Sequence, residues 1–165
     1  MLRRTPMKRP TRAEAAERKA EKKAKRKERQ AKLKPDTLAR QKHQAKWEKV
    51  CEDLARKVCL SVGSCEAAGW EWNGKVYSCS DRLEWAHVKS RRHISIKYDP
   101  ENATCLCNTH HKFFTQHPDQ WFKFIETKYP GRWDSLNEKL NGRKLFMDFE
   151  LIATGLYEIL ALKGL

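Results

Sequence analysis

Long hydrophobic runs are missing from this chain of 165 residues. Its most apolar stretch, "LIATGLYEILAL", is short and is interrupted by Glu158, whereas a membrane-spanning helix needs about 20 apolar residues. The N-terminus is basic but no apolar segment follows it, so it lacks the core of a secretory signal. Internal repeats are also missing. We therefore expect an intracellular, cytoplasmic protein that forms about one domain with a modest core.

The positive charge is unevenly distributed along the sequence. Residues 1–34 contain 15 Lys and Arg against four acidic residues, whereas residues 35–165 contain 20 against 17. A basic arm of this kind binds polyanions, because each phosphate that it neutralises releases counterions without any need for sequence recognition. The distribution predicts an N-terminal arm at residues 1–34, helical or disordered, with nucleic acid as the partner.

The chain contains six cysteines. Because disulfides are rare inside cells, these cysteines are predicted to be metal ligands or core residues. Cys107 and His110 have C-x2-H spacing where a predicted strand passes into a predicted helix, and thiolate and imidazole ligands suit tetrahedral zinc. The predicted structural zinc site consists of Cys65, Cys79, Cys107 and His110.

The upstream half of that zinc site is less regular than its downstream half. Cys65 lies in "CEAAG", where Ala68 replaces the second cysteine of a C-x2-C knuckle, and Cys59 is the alternative ligand if Cys65 or Cys79 does not bind. The remaining two, Cys51 and Cys105, are predicted core residues. The competing interpretation is that several of these cysteines are simply small buried apolar side chains.

Periodicity and turn residues predict a mixture of helices and short strands. Residues 12–34 are rich in helix formers, and a new helix is expected from Pro35. Strands are predicted at residues 82–88 and 103–107, paired across the loop 89–102. Helices are expected from Asn108, from Pro118 to Pro130, and along a C-terminal stripe of Leu145, Phe149, Ile152, Leu156 and Leu160.

A dense segment of histidines and polar residues lies around the predicted strand pair. The stretch "WAHVKSRRHISIKYDPENATCLCNTHHKFFTQHP" contains His87, Asn102 and His111, with 15 residues from the first to the second and nine from the second to the third. In order and spacing this segment resembles the HNH endonucleases of the ββα-metal fold, and within them the phage NinG/Rap-like recombination nucleases. The resemblance covers about residues 59–134.

The resemblance implies a role for each of these residues. His87 would be the general base, a task that suits an imidazole near neutral pH. His111 would hold a catalytic divalent cation, Mg²⁺ or Mn²⁺, and Asn102 would orient the loop and assist the metal in some members. Arg91, Arg92 and Lys89 would contact phosphates, and Arg91 fits the "H-x-x-S-R" pattern better than Arg92.

One position departs from the family pattern. Many HNH enzymes carry Asp or His directly before the base, where this chain has Ala86. Ligation would then fall to Asp99, to Glu84, or to water and the phosphate itself. The alternative is a disabled nuclease that is retained for DNA binding.

The sequence thus predicts an α+β fold: a small zinc-stabilised ββα-metal domain at residues 35–134, flanked by helices, with a C-terminal amphipathic helix at 135–165. The implied function is DNA endonuclease activity in phage or prophage recombination or processing, on branched or single-strand-containing DNA, or nicking during genome packaging. The competing functions are a non-catalytic zinc protein that binds DNA or RNA, and a basic-armed structural protein with buried cysteines. The aromatic set Phe113, Phe114, Trp121, Phe122 and Phe124 is predicted to be core.

Overall fold

The computed structural model describes residues 11–31, 33–142 and 147–165. The chain divides into two units after Gln44. Helix α1 is Arg12–Ala31, and its described side chains are all exposed. Helix α2 is Pro35–Leu60. Helix α1 corresponds to the helical alternative for the arm, of which residues 1–10 and 32 lie outside the described residues, and α2 begins at Pro35 as predicted. No described helix combines the length and the apolarity that a membrane-spanning segment requires.

Two small antiparallel sheets lie in the unit from Ala45 to Leu165. Strands β1 (Glu71–Trp72) and β2 (Lys75–Val76) form a hairpin that was not predicted. Its turn is Asn73-Gly74, both with positive φ, which is the preferred sequence of a two-residue hairpin turn. Strands β3 (Leu83–His87) and β4 (Ala103–Cys107) form the second sheet.

The second sheet agrees with the predicted strand pair. Its register places Leu83 opposite Cys107 and His87 opposite Ala103. The intervening loop contains two short 3₁₀ helices, Ile94–Ile96 and Pro100–Asn102. Helix α3 (Asn108–Gln116) follows β4 directly, so two paired strands and a helix are consecutive in the chain.

Three further helices complete the described structure. Helix α4 is Pro118–Lys128, α5 is Arg132–Asn141 and α6 is Phe149–Leu162. The first and third were predicted, although Leu145 lies outside the described residues. Helix α5 was not predicted, and it runs across the expected boundary between residues 134 and 135. The prediction of a mixed helix-and-sheet domain is confirmed.

Strand β3 contacts two apolar clusters. The first contains Ala86 and Val88 of the strand region together with Leu106, Ile125 and residues of α3, α4 and α5. The second forms between α2 and α6, and Trp85 packs against it. Of the predicted aromatic core, Phe113, Phe114 and Phe124 are buried, Trp121 is half-buried and Phe122 is exposed. Strand β3 therefore packs against both clusters.

Leu136→Ala should lower the free energy of unfolding by about 2–5 kcal/mol, because the side chain in α5 is 0% exposed and its removal leaves a cavity. The matched control is Leu151→Ala in α6, whose side chain is 69% exposed and whose loss should change stability by less than about 0.5 kcal/mol. Urea titration followed by circular dichroism measures both. Equal, small effects of the two substitutions would contradict the placement of α5 against the core.

Candidate functional site

Three cysteines and one histidine converge where β4 passes into α3. The ligand atoms of Cys65, Cys79, Cys107 and His110 all lie within 4.8 Å of one another. His110 Nδ1 is 3.5 Å from Cys65 Sγ, 3.7 Å from Cys79 Sγ and 3.1 Å from Cys107 Sγ. The structure thus brings together all four residues that were predicted as zinc ligands.

Each of these residues is positioned by a different local feature. Cys107 ends β4 and caps α3, with its sulfur accepting a hydrogen bond from the His110 backbone N–H at 3.5 Å. Cys65 follows α2, and the next residue is tied to β4 by a hydrogen bond from Glu66 N–H to the Cys105 carbonyl at 2.8 Å. Cys79 precedes β3 and is the exposed member, whereas the other three are buried. The cluster joins a loop, a strand end and a helix start.

The donor set fits a tetrahedral metal ion. For Zn–S near 2.3 Å and Zn–N near 2.0 Å, adjacent ligand atoms should be about 3.6 Å apart, close to the three distances from His110 Nδ1. Burial acts to raise the pKa of Cys107, but hydrogen bonds from the backbones of His110 and Ser80 outweigh it and lower the pKa to about 6. A thiolate is the form that binds metal, so this cysteine is ready to act as a ligand.

The other three cysteines lie outside the cluster. Burial raises the pKa of Cys59 to about 12, and its partner is Cys105 rather than the four ligand atoms. Cys51 is fully buried, and its thiol donates a hydrogen bond to the Phe149 carbonyl at 3.1 Å. Cys59 is therefore a core thiol here, as Cys51 and Cys105 were predicted to be.

A separate pocket of about 200 Å³ contains two of the predicted catalytic residues. His87 at the end of β3 and His111 in α3 both line it. The other lining residues come from β3, β4, α3 and α4: Ala86, Leu106, Phe114, Thr115 and Trp121. His87 and His111 are 24 positions apart in the sequence. They come together because β3 pairs with β4 and because β4 passes directly into α3.

His87 has the environment of a neutral imidazole. Its ring packs on Trp85 with the centroids 4.3 Å apart, and its Nε2 is buried without a hydrogen-bond partner. Burial lowers its pKa, while a hydrogen bond with the Lys97 backbone opposes that change. Because the pKa is below the ordinary 6.5, the neutral form persists to lower pH than in a free imidazole. An unprotonated nitrogen is what a general base requires.

His111 is held by a carboxylate. Its Nδ1 is 2.7 Å from Glu84 Oε2, and the other carboxylate oxygen of Glu84 accepts a hydrogen bond from the Asn108 side chain at 2.9 Å. Hydrogen bonds from Asn108 and His111 lower the pKa of Glu84. A carboxylate on one ring nitrogen fixes the orientation of the imidazole and leaves Nε2 available as a metal ligand. Glu84 therefore orients His111, a role that no pattern in the sequence indicated.

Asp99 and Asn102 both act within the loop that joins β3 to β4. Asp99 caps the second 3₁₀ helix and pairs with Lys139 at 2.7 Å. Asn102 is fully buried. Its Oδ1 accepts a hydrogen bond from Lys89 N–H at 2.7 Å, and its Nδ2 donates to the carbonyls of Ile96 and Lys89. Asn102 orients the loop, whereas the carboxylate of Asp99 is paired with Lys139 and does not line the histidine pocket.

The predicted phosphate-binding residues differ in exposure. Arg91 and Arg92 are exposed at the tip of the loop. Lys89 is half-buried, and its ammonium lies 3.3 Å from the centroid of the Trp133 ring. The positive charge of Lys89 is thus engaged in a cation–π contact with Trp133. The two arginines are the cations of this set that face solvent.

Two tryptophans near the histidine pocket were not predicted as site residues. Trp121 lines the pocket, and its indole N–H donates to the Val88 carbonyl at 3.2 Å. Trp85 stacks on His87 from within β3. Its position two residues before His87, on the same face of a strand, was a signal in the sequence. Trp121 comes from α4, which no local pattern relates to β3.

The candidate site thus consists of a Cys3His cluster that could hold a metal ion such as zinc, and a pocket shared by His87 and His111. In comparisons with known proteins, no family model, no curated protein and no solved structure matches this chain.

Proposed function

We propose that this protein is a divalent-metal-dependent DNA endonuclease of the HNH type, with a structural zinc ion in its Cys3His cluster. The observation that carries the proposal is the convergence of His87 and His111 on one pocket, built on two antiparallel strands followed directly by a helix. Sequence order, strand register and the Glu84 contact all agree with a base on the first strand and a metal ligand on the helix.

The Cys3His cluster suits a structural rather than a catalytic ion. Four protein ligands complete a tetrahedral shell and leave no open position for water or substrate, which is the arrangement of structural zinc. Three of the four residues are buried, so a substrate phosphate has little access to the centre. The zinc would connect the loop after α2, the start of β3 and the β4–α3 junction, and thereby stabilise the neighbouring histidine pocket.

His87 is the proposed general base. Its neutral imidazole, which lines the pocket, would accept a proton from a water molecule as that water attacks phosphorus in line with the departing 3′-oxygen. Trp85 and the Lys97 backbone hold the ring, so that the nitrogen does not have to reorient during the reaction. The burial of this side chain keeps the base neutral.

His111 is the proposed ligand of the catalytic cation, with Glu84 behind it. A Mg²⁺ or Mn²⁺ ion bound there would neutralise charge on the scissile phosphate and on the leaving oxygen. Ala86 offers no ligand atom, and Glu84 and Asp99 are engaged elsewhere. His111 is thus the proposed protein ligand, and water and the substrate phosphate would supply the remaining ligands.

The exposed cations are the proposed contacts to the DNA backbone. Arg91 and Arg92 lie in the loop that begins directly after His87, and a guanidinium matches two phosphate oxygens at once. The basic N-terminal arm would add affinity without sequence preference. The resemblance points to branched or single-strand-containing DNA during phage or prophage recombination, with nicking in genome packaging as the second possible role.

The second candidate function is a non-catalytic zinc protein that binds DNA or RNA as an accessory factor. Ala86 favours it, since the position has no metal ligand and is 2% exposed. Asn102 favours it as well, because its amide is fully used by the loop. This alternative retains the zinc and the basic surface and lacks only the cleavage step.

His87→Ala should reduce cleavage of supercoiled plasmid in Mg²⁺ or Mn²⁺ by about 10²–10⁴-fold, the usual contribution of a general base, while DNA affinity stays within about twofold. His93→Ala is the matched control, because His93 is an exposed histidine of the loop that follows β3. Single-turnover rates and filter binding measure the two quantities.

The acid limb of the wild-type rate profile should lie below pH 6.5, because burial lowers the pKa of His87. Wild-type binding without cleavage in any divalent metal would establish the accessory function instead.

The purified chain should contain about one zinc ion, and Cys107→Ser should lose it and become markedly less stable, because zinc binding and folding are coupled. Cys51→Ser is the control, since Cys51 is also fully buried but lies outside the cluster. Metal content by mass spectrometry separates loss of ligation from loss of core packing. A Cys107→Ser protein that is folded, zinc-free and active would contradict the structural role.

Deletion of residues 1–34 should weaken DNA binding and flatten its dependence on salt, because each lost phosphate contact removes about 0.9 from the slope of log K against log salt. The rate at saturating DNA should be unchanged. A full-length chain with the arm's Lys and Arg replaced by Gln serves as control for length and helicity, and should behave like the deletion. Unchanged binding at low salt would show that the arm is not a DNA contact.

A further inference from the structure

The loop between β3 and β4 presents one apolar side chain to solvent. Its first 3₁₀ helix, Ile94–Ile96, carries two isoleucines with opposite environments. Ile96 is 1% exposed and lies in the first apolar cluster, whereas Ile94 is 55% exposed. Among the loop's other large apolar side chains, Val88 and Tyr98 are also buried. Ile94 is therefore the single large apolar side chain that this fully described loop exposes.

The loop that carries Ile94 is held at several points. The Val88 N–H donates to the Asn102 carbonyl at 3.1 Å and closes the loop at its base. The side-chain amide of Asn102 bonds to the backbones of Lys89 and Ile96 from within. Because the backbone on either side of Ile94 is anchored, the side chain is presented without a large loss of conformational entropy on binding.

The sequence around Ile94 is basic, although Lys97 pairs with Glu48 and Glu52 of α2 at 3.3 and 3.6 Å. Arg91, Arg92 and His93 directly precede it and are exposed, and no acidic residue occurs from position 88 to position 98. A protein partner normally requires a much larger apolar area than one isoleucine provides. An apolar side chain flanked by arginines instead has the composition of the wedges that insert between base pairs from the minor groove, where cations hold the adjacent phosphates.

Ile94 also lies close to the proposed base. Lys97 N–H donates to the Ile94 carbonyl at 3.2 Å, and the same Lys97 backbone is hydrogen-bonded to His87. One turn of 3₁₀ helix thus connects the exposed isoleucine to the catalytic histidine.

We propose that Ile94 is a DNA-inserting wedge, which enters a base-pair step of duplex DNA from the minor groove, with Arg91 and Arg92 on the flanking phosphates. The inference rests on the proposed function, since it names how the same site engages its DNA. It places the substrate's distortion next to the scissile phosphate. Steps that unstack at low cost, such as those beside a branch or a mismatch, are then the preferred substrates.

Insertion unwinds DNA, and unwinding is measurable without cleavage. Closed circular plasmid is relaxed by a metal-independent topoisomerase in the presence of the full chain, with no divalent cation added, and the linking number is read after protein removal. Wild type should shift the linking number in proportion to bound protein. Ile94→Ala should abolish most of the shift and weaken binding about tenfold, because the buried apolar contact is lost. Ile94→Leu should retain the shift.

Val62→Ala is the matched control, since Val62 is an exposed β-branched residue, 46% accessible, without basic neighbours in sequence; it should behave as wild type. A wild type that binds plasmid without changing its linking number overturns the wedge, as does an Ile94→Ala protein with the full shift. Cleavage by wild type, assayed separately with Mg²⁺ or Mn²⁺, keeps the endonuclease proposal intact in either of those cases. Unwinding without cleavage would retain the wedge and reject the endonuclease.

Discussion

The passage from β4 into α3 is the constraint on which the rest of the structure depends. Cys107 ends the strand, caps the helix and lies 3.1 Å from His110 Nδ1. His110 and His111 are neighbours in a helix, so their side chains diverge by about 100°. Once His110 faces the three sulfurs, His111 is directed towards Glu84 and the histidine pocket. One junction thus sets the orientation of both the Cys3His cluster and the pocket.

The loop between the two paired strands has a complementary role. Asn102 lies at its end and uses both ends of its amide to hold the backbone at Lys89 and Ile96. Because this amide is buried and its hydrogen bonds are satisfied, it favours one conformation of the loop over others. The same loop carries Arg91, Arg92 and Ile94 at its exposed tip. The hydrogen bonds that anchor this loop support the proposal that its tip makes a defined contact with DNA.

Local signals account for most of the elements that were predicted. Pro35 and Pro118 fit the first turn of a helix, and strand alternation with a C-x2-H turn located β3, β4 and the start of α3. The β1–β2 hairpin was missed although Asn73-Gly74 is a strong turn signal, because its strands are only two residues long. Helix α5 was missed because Pro130-Gly131 was interpreted as a stop. Gly131 in fact has φ of +78° and caps a new helix.

The sequence by itself determined the basic arm, the strand–strand–helix order and the candidate ligand types, because these follow from charge, periodicity and spacing along the chain. Only the tertiary structure decided that Cys65 and Cys79 join Cys107 while Cys59 lies beside Cys105. It also decided that Glu84 holds His111 and that Lys89 lies on Trp133. These contacts join residues from different elements, and strand register and helix packing, which no local pattern encodes, set the distances between them.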